Sequence, residues 1–213
     1  MIIYGSTMSP FVRKAIAFAA EKAIAIEVKS VGIGDPDPGF RAASPFGKMP
    51  ALDDDGFTLA DSSAICHYLD ALQPDPVLIP AAPRLRGKTI WFEEFADTIL
   101  FACGAQIFFN RIVAPRFLGR DGDLAAADKA EREMLPPILE YLEGVIPDSG
   151  YLVGNKLTLA DLAVASPFAN LAHCGVVIDP ARYPRVVAFR DEILGRPSFA
   201  AMIGREAAVL AKP

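Results

Sequence analysis

The sequence predicts a two-domain protein, a small α/β layer followed by an all-helical bundle. Strand-like and helix-like segments alternate over the first 72 residues, which is typical of a small α/β fold. Four prolines then fall within "QPDPVLIPAAP", residues 73–83, and remove backbone donors that a helix or a central strand needs. Beyond them the apolar spacing is helical almost to the end. We therefore expect domains at 1–73 and 84–213, joined by a linker at 74–83.

The first half contains four predicted strands and two predicted helices. The strands are "MIIY", "AIEVKSV", "PALDD" and "FTLA", and Asp55-Gly56 supplies the tight turn between the last two. The first helix runs from Ser9 to about Lys22, and the second is "DSSAICHYLDAL". Apolar residues recur along the first helix at helical spacing, which predicts that its charged residues face outward: Arg13, Lys14, Glu21 and Lys22.

The second half reads as five helices. Periodicity predicts a long helix over 84–117, another over 124–145, one over 158–173, and two shorter ones within 182–194 and 198–210. Thr158, followed three residues later by Asp161, has the spacing of a capping box, in which each of the two residues satisfies a free amide of the helix start.

Composition excludes several classes of protein. The 213 residues include 21 Lys and Arg against 26 Asp and Glu, a net charge of -5 that argues against a nucleic-acid partner. The chain opens on a strand rather than on a leader, which predicts a cytoplasmic location. The longest nearly uncharged stretch, 162–178, contains Pro167, Asn170 and His173, so no membrane partner is expected. Three distant cysteines lack CxxC spacing, so neither disulfides nor a metal site are expected.

Four motifs in a fixed order carry a family resemblance. A strand ends at the helix mouth "YGSTMSPFVRKA", and "SPFGKMPAL", "LADSSAICHYLD" and, in the helical half, "LTLADL" follow it. Together they resemble the cytosolic glutathione transferases, and the "SPF" mouth is most similar to their serine-type classes, tau in particular. The resemblance covers nearly the whole chain and implies a thioredoxin-like first domain, glutathione as co-substrate and a homodimer.

The resemblance implies a glutathione-binding role for five residues. A cis bond at Met49-Pro50 would turn the Met49 backbone outward to pair with the cysteinyl part of glutathione, although an ordinary trans bond is the alternative. Asp61 and Ser62 open a helix and would bind the γ-glutamyl end, although Asp61 is alternatively a plain N-cap. Lys48 would pair with the glycyl carboxylate, or it is simply a solvated lysine.

Ser9 is the predicted catalytic residue. A hydroxyl at a helix mouth can donate to a bound thiolate, and the first-turn amides add positive potential, so both lower the pKa of the thiol. The N-cap role of Ser9 before Pro10 is compatible with this one. Ser6 and Thr7 are the alternative hydroxyls, and Phe11 is a candidate for the site of a hydrophobic electrophile.

The expected function is transfer of glutathione, as thiolate, to hydrophobic electrophiles. The resemblance leaves two alternatives open: a glutathione-dependent isomerase or peroxidase, and a non-enzymic binding module with the same fold. Lys48, Pro50, Asp61 and Ser62 favour glutathione binding over the binding module, but they do not choose between the enzymes.

Overall fold

The computed structural model describes residues 1–212. A four-stranded sheet has the order β2-β1-β3-β4, in which β1 pairs parallel with β2 and antiparallel with β3, and β3 pairs antiparallel with β4. The strands are Ile2–Tyr4 (β1), Glu27–Lys29 (β2), Ala51–Asp54 (β3) and Phe57–Ala60 (β4). The predicted hairpin is confirmed, since Asp55 and Gly56 take φ of 50° and 88° between β3 and β4.

Three helices accompany the sheet. They are Pro10–Glu21 (α1), Pro38–Ala43 (α2) and Ser62–Leu72 (α3). The sequence analysis missed α2, because Gly and Pro dominate its approach, yet Asp37 caps it by accepting a hydrogen bond from the Phe40 amide. A small α/β layer of the thioredoxin-like type is thereby confirmed.

The second half is helical, as predicted. The first helix, Pro83–Phe117 (α4), is 35 residues long and includes π-helical turns at Phe95–Leu100 and Phe109–Val113. The next, residues 124–145 (α5), contains another such turn at Ala130–Met134. The rest are Leu159–His173 (α6), Pro184–Leu194 (α7) and Pro197–Leu210 (α8).

Helix α4 is apolar over much of its length. By length and composition alone, an 18-residue window of it could cross a membrane, and 33% of that window is buried in the protein. It is a different segment from residues 162–178, the longest nearly uncharged stretch of the sequence. Core helices meet the same criterion, so one such helix is weak evidence for a membrane span.

Helix α6 lies at the centre of the second half. Thirteen of its 15 residues are buried, and it packs against α1, α4 and α7. Its start is the predicted capping box, in which the Asp161 carboxylate accepts hydrogen bonds from the Thr158 amide at 2.7 Å and from the Leu152 amide at 2.7 Å. Burial raises the pKa of Asp161 to about 6.

The predicted orientation of the α1 cations is wrong. Arg13, Lys14 and Lys22 are 0%, 1% and 1% exposed. The physical reason is that each meets a carboxylate inside the protein rather than water, and Arg13 and Lys22 also donate to carbonyl oxygens. Lys22 pairs with Asp70 at 2.7 Å and donates to carbonyl oxygens of the segment that follows α3: Gln73, Pro74 and Pro76.

Candidate active site

The sheet register brings the predicted site residues to one edge. Tyr4, the last residue of β1, lies opposite Ala51, the first of β3, and Ala51 lies opposite Ala60, the last of β4. The loop after β1, the segment before β3 and the turn after β4 therefore emerge side by side. They carry Ser9, Met49-Pro50 and Asp61-Ser62 respectively.

Ser9 occupies the N-cap position of α1, and Pro10 takes the first helical position. The Ser9 backbone is extended, with φ of -80° and ψ of 126°, and its carbonyl accepts from the Arg13 amide at 3.0 Å. Its side chain makes no capping hydrogen bond. The hydroxyl is half-buried at the positive end of α1, and it is free to donate to an anion there.

The two alternative hydroxyls have different surroundings. The Ser6 hydroxyl accepts a hydrogen bond from the Met8 amide at 3.3 Å, and so it closes the loop on itself. Thr7 contributes its carbonyl oxygen to the Arg13 guanidinium at 2.8 Å. The Ser6 hydroxyl is therefore engaged within the loop, whereas the Ser9 hydroxyl makes no capping bond. The Thr7 contact involves its backbone and not its hydroxyl.

The Met49-Pro50 bond is cis, as predicted. Met49 lies two residues before Ala51, the first paired residue of β3, so its backbone lies just beyond the ladder. Gly5 is the first residue of the loop that carries Ser9, and it lies against this segment. A Cβ added to Gly5 would be 3.5 Å from the Met49 Cβ. Lys48 is exposed beside it, and the Ser44 hydroxyl donates to the Lys48 carbonyl at 2.7 Å.

Asp61 is the N-cap of α3. Its Oδ1 accepts from the Ser63 amide at 2.8 Å and from the Ala64 amide at 3.0 Å, so Asp61 caps the helix, and its role toward glutathione stays a prediction. The Asp61 amide donates to the Pro50 carbonyl at 3.4 Å, which joins this turn to the cis-proline segment. Ser62 is buried at the first position of the helix. An anion at this helix start would meet the positive end of its dipole.

Arg13 lies beneath the Ser9 loop. Its Nη1 donates to the Thr7 carbonyl at 2.8 Å and to Glu206 Oε2 at 2.7 Å, and its Nη2 donates to the Ser166 carbonyl at 2.8 Å and to Asn170 Oδ1. Burial lowers the pKa of the Arg13 guanidinium, while Glu206 opposes that effect. The first helix is thus bound to α6 and α8 directly below the predicted catalytic hydroxyl.

Lys14 lies beneath the start of α3. Its Nζ is 2.5 Å from Asp97 Oδ2, 3.1 Å from Glu93 Oε1 and 3.4 Å from the Ser63 hydroxyl. Burial alone would lower the pKa of Lys14, but Asp97 and Glu93 outweigh it and raise that pKa. The contact with Ser63 connects this ion cluster to the helix start that carries Asp61 and Ser62.

A cavity of about 540 Å³ opens beside the loop that carries Ser9. Residues 5–8 form one wall, and apolar side chains of α4 and α8 form another, namely Phe117, Met202 and Val209, with Arg205 and Glu206 beside them. Phe11 does not line this cavity. Its ring packs on Phe101 of α4 with centroids 4.5 Å apart.

The cysteines of the chain are poor nucleophiles. Burial raises the pKa of the Cys66 thiol above its ordinary range, and it raises the pKa of Cys103 and of Cys174 to about 11. Among residues 1–212 no group of His, Cys, Asp and Glu side chains is arranged to hold a metal ion. A reactive thiolate at this edge would therefore belong to a bound ligand.

Sequence reasoning missed the residues below the site. Ser166, Asn170 and Glu206 are buried polar residues of the helical half, and all three contact α1 or the Ser9 loop. A signal was present, because Ser166 and Asn170 interrupt an otherwise apolar helix, and buried polar groups need hydrogen-bond partners. The sequence could not say which segment supplies those partners.

The architecture defines the class of protein: a thioredoxin-like domain whose first helix packs against an all-helical domain. Sequence profiles of two domains agree with it. The N-terminal domain of glutathione S-transferases matches residues 3–77, and the C-terminal domain of glutathione S-transferases matches residues 99–197.

Individual relatives point to the same family. Glutathione S-transferase 4 of Zea mays is 32% identical over 204 residues, 92% of this chain and 88% of the maize protein. Probable maleylacetoacetate isomerase 1 of Drosophila melanogaster is 31% identical over 156 residues, 72% of this chain and 58% of the fly protein. The crystal structure of glutathione transferase F7 from Populus trichocarpa superposes with a TM-score of 0.82 at 26% identity, covering 94% of this chain and 96% of that one.

The chain belongs to the glutathione S-transferase family. The expected fold and the expected glutathione transferase activity, with glutathione as co-substrate, are confirmed at that level.

Proposed function

We propose that glutathione lies along the edge formed by Met49, Asp61 and Ser9, with its sulfur held as a thiolate by the Ser9 hydroxyl. The observation that carries the proposal is the position of that hydroxyl. It stands at the positive end of α1 without a capping bond, on the loop whose first residue, Gly5, lies against the cis Met49-Pro50 segment. Hydrogen bonding and the helix dipole both favour the anionic form of a thiol.

The peptide part of glutathione fits the same edge. The Met49 backbone lies just beyond the β3 ladder, where an extended peptide can pair as one more strand. The start of α3 at Ser62 suits the γ-glutamyl carboxylate, and the second carboxylate oxygen of the exposed Asp61 suits the ammonium. Lys48 is exposed at the end of this edge and suits the glycyl carboxylate.

The chemical step then follows from the thiolate. The sulfur attacks an electrophilic carbon, a C–S bond forms, and the electron pair leaves with a departing group or goes to the atom that accepts the addition. The cavity beside residues 5–8 suits a hydrophobic electrophile, because Phe117, Met202 and Val209 line it. Phe11 is retained as an electrophile-site candidate only through its contact with Phe101 of α4.

The decisive experiment is Ser9→Ala. A hydrogen bond to a charged group contributes about 1.5 to 3 kcal/mol, so the pKa of the bound thiol should rise by about one to two. Turnover at neutral pH should fall and recover as pH rises, while glutathione affinity stays nearly intact. Ultraviolet absorbance of the thiolate, titrated with bound glutathione, measures the change.

The matched controls for Ser9→Ala are Ser6→Ala and Thr7→Ala. Each removes one hydroxyl from the same loop, so each should leave the pKa of the bound thiol unchanged. If Ser9→Ala titrates like the wild type and one of the other two does not, the catalytic hydroxyl lies earlier in the loop.

A glutathione-dependent isomerase is the second candidate. The match to the fly protein called a probable maleylacetoacetate isomerase favours it, since that match spans 72% of this chain. Parallel assays with a chlorodinitrobenzene-type electrophile, an organic hydroperoxide and maleylacetoacetate separate transferase, peroxidase and isomerase. Failure of the protein to be retained on immobilised glutathione would favour the non-enzymic binding module.

The proposal extends to assembly and location. Large apolar side chains are exposed, with Phe46 at 91%, Trp91 at 46% and Ile99 at 44%, and these suit burial in a homodimer. Light scattering at micromolar concentration should give twice the monomer mass, and a monomer would contradict the proposal. A cytoplasmic location, a role in detoxification and the domain division at 1–73, 74–83 and 84–213 stay predictions.

A further inference from the structure

We propose that the helical half positions the thiol-activating hydroxyl, with Asn170 of α6 as the main positioning residue and Ser166 and Glu206 in support. This inference rests on the proposed function, since it concerns the loop that carries Ser9. Glu206 also lines the cavity proposed for the electrophile, but none of the three residues is assigned to contact glutathione. They act through the backbone of residues 7–10.

The carbonyl oxygens of residues 7–10 all accept hydrogen bonds within the protein. Arg13 Nη1 donates to the Thr7 carbonyl at 2.8 Å, Asn170 Nδ2 to the Met8 carbonyl at 2.8 Å, and the Ser166 hydroxyl to the Pro10 carbonyl at 2.8 Å. The Ser9 carbonyl accepts from the Arg13 amide at 3.0 Å. Two of these four donors come from side chains of α6, which is more than 150 residues away in sequence.

These bonds fix the direction of the Ser9 side chain. A peptide unit is planar, so holding its carbonyl oxygen sets the whole plane. The plane before Ser9 is held by Asn170 at the Met8 oxygen and by the bond from the Ser9 amide to the Ser6 carbonyl at 2.9 Å. The plane after Ser9 is held by the Arg13 amide. With both planes fixed, the Cα–Cβ bond of Ser9 has one direction.

The positioning network is shielded from water. Ser166 is 1% exposed, Asn170 is 3% exposed and Glu206 is 2% exposed. Water therefore cannot readily replace a lost donor, and a buried carbonyl without a partner is costly. Glu206 acts one step further away, since it neutralises Arg13 at 2.7 Å and also contacts His173 Nε2 at 2.9 Å.

Position along the loop predicts a graded effect. Asn170 controls the plane adjoining Ser9, whereas Ser166 controls the plane after Pro10, so Asn170 should affect the hydroxyl more. Asn170→Asp is the sharpest variant, because it keeps the size and the acceptor for Arg13 but loses the donor to the Met8 carbonyl. Ser166→Ala is a second, milder variant that removes one hydroxyl.

The experiment compares thiol titration with kinetics for both variants. Asn170→Asp should raise the pKa of bound glutathione by about one and reduce kcat near neutral pH about tenfold, with recovery at high pH. KM for glutathione should change less than about twofold, since one interaction made at the sulfur and not in peptide binding is lost. Ser166→Ala should show the same pattern with a smaller shift.

The matched control is Leu162→Ala, a buried apolar residue near the start of the same helix whose side chain has no donor for the loop. It should lower the melting temperature but leave the pKa of the bound thiol unchanged. An unchanged thiol pKa in Asn170→Asp overturns the inference, and so does an equal shift in Leu162→Ala. Ser9→Ala in the same series tests the proposed function separately: if it alone fails to shift the pKa, the loop is still positioned by α6 but carries a different catalytic hydroxyl.

Discussion

Arg13 and Lys14 are neighbours in sequence, but they support opposite ends of the candidate site. Arg13 faces α6 and α8 and holds the loop with the Ser9 hydroxyl. Lys14 faces α3 and α4 and approaches Ser63 at the helix start beside Asp61 and Ser62. One turn of α1 thus places one cation under the proposed thiol end and the next under the proposed γ-glutamyl end.

The two cations are neutralised in different ways. The Arg13 guanidinium distributes its donors over two carbonyls, an amide and a single carboxylate, as its planar fork allows. The Lys14 ammonium is a compact charge and contacts two carboxylates, Glu93 and Asp97. Arg13 has one carboxylate partner, Glu206, and loses its only anion if that residue is replaced. Lys14 keeps a second carboxylate if either Glu93 or Asp97 is replaced.

Loss of Glu206 should lower the free energy of unfolding more than any other change considered. Glu206→Gln leaves a fully buried guanidinium without its anion, and removing one partner of a buried pair costs about 3 to 5 kcal/mol. Glu93→Gln is the matched control and should cost only about 1 to 2 kcal/mol, because Asp97 remains. Urea unfolding measures both free energies, and equal losses would contradict the difference in charge balance.

Asp161 is a buried carboxyl group whose hydrogen-bond partners are all neutral, unlike those of Arg13 and Lys14. Asp161 accepts from amides and a hydroxyl, and burial raises its pKa from the ordinary value of 3.8 to about 6. As pH rises from about 4 to about 6 the unfolded chain loses this proton first, so the folded state loses about 3 kcal/mol of stability from this group.

Asp161→Asn tests this pH dependence. The variant cannot ionise at residue 161, so the difference between its free energy of unfolding and that of the wild type should change between pH 4 and pH 6. The wild type is subtracted because Glu206 contributes a pH dependence of stability with the opposite sign, and this contribution is common to both proteins. Burial would raise the pKa of Glu206, but His173 and Arg13 lower it, so its contribution is lost as pH falls. A difference that is flat with pH would show that Asp161 is not protonated in this range.

Removal of the exposed Lys48 ammonium should have only a small effect on KM for glutathione. Lys48→Ala should raise KM for glutathione less than about fivefold, because exposed ion pairs are weak. The effect should shrink at high salt, where exposed charges are screened. Lys129→Ala, an exposed lysine on α5, is the control and should leave KM unchanged. A salt-independent loss in Lys48→Ala would show that Lys48 is buried by the ligand.

Features that depend on nearby residues were predictable from sequence. The Asp55-Gly56 turn, the Thr158 and Asp161 capping box and the helices of the second half each depend on residues a few positions apart. The shared edge of the proposed glutathione residues followed from the family resemblance, and the register of β1, β3 and β4 now accounts for it.

The surroundings of Arg13 and Lys14 were not predictable in the same way. An amphipathic pattern separates apolar from charged positions, but it does not show whether a charge faces water or a buried acid. Arg13 meets Glu206 193 residues later, and Lys14 meets Glu93 79 residues later. Only the packing of α1 against the helical half decides which of the two environments applies.

The spacing of these partners has a consequence for how the chain folds during synthesis. Chains emerge from the ribosome with the N-terminal end first. Lys22 can meet Asp70 soon after α3 is made, Lys14 must wait for Glu93, and Arg13 must wait for Glu206 on α8. The anions of the three cations therefore become available in a fixed order, and the Ser9 loop gains its last support, through Arg13, only when α8 has been made.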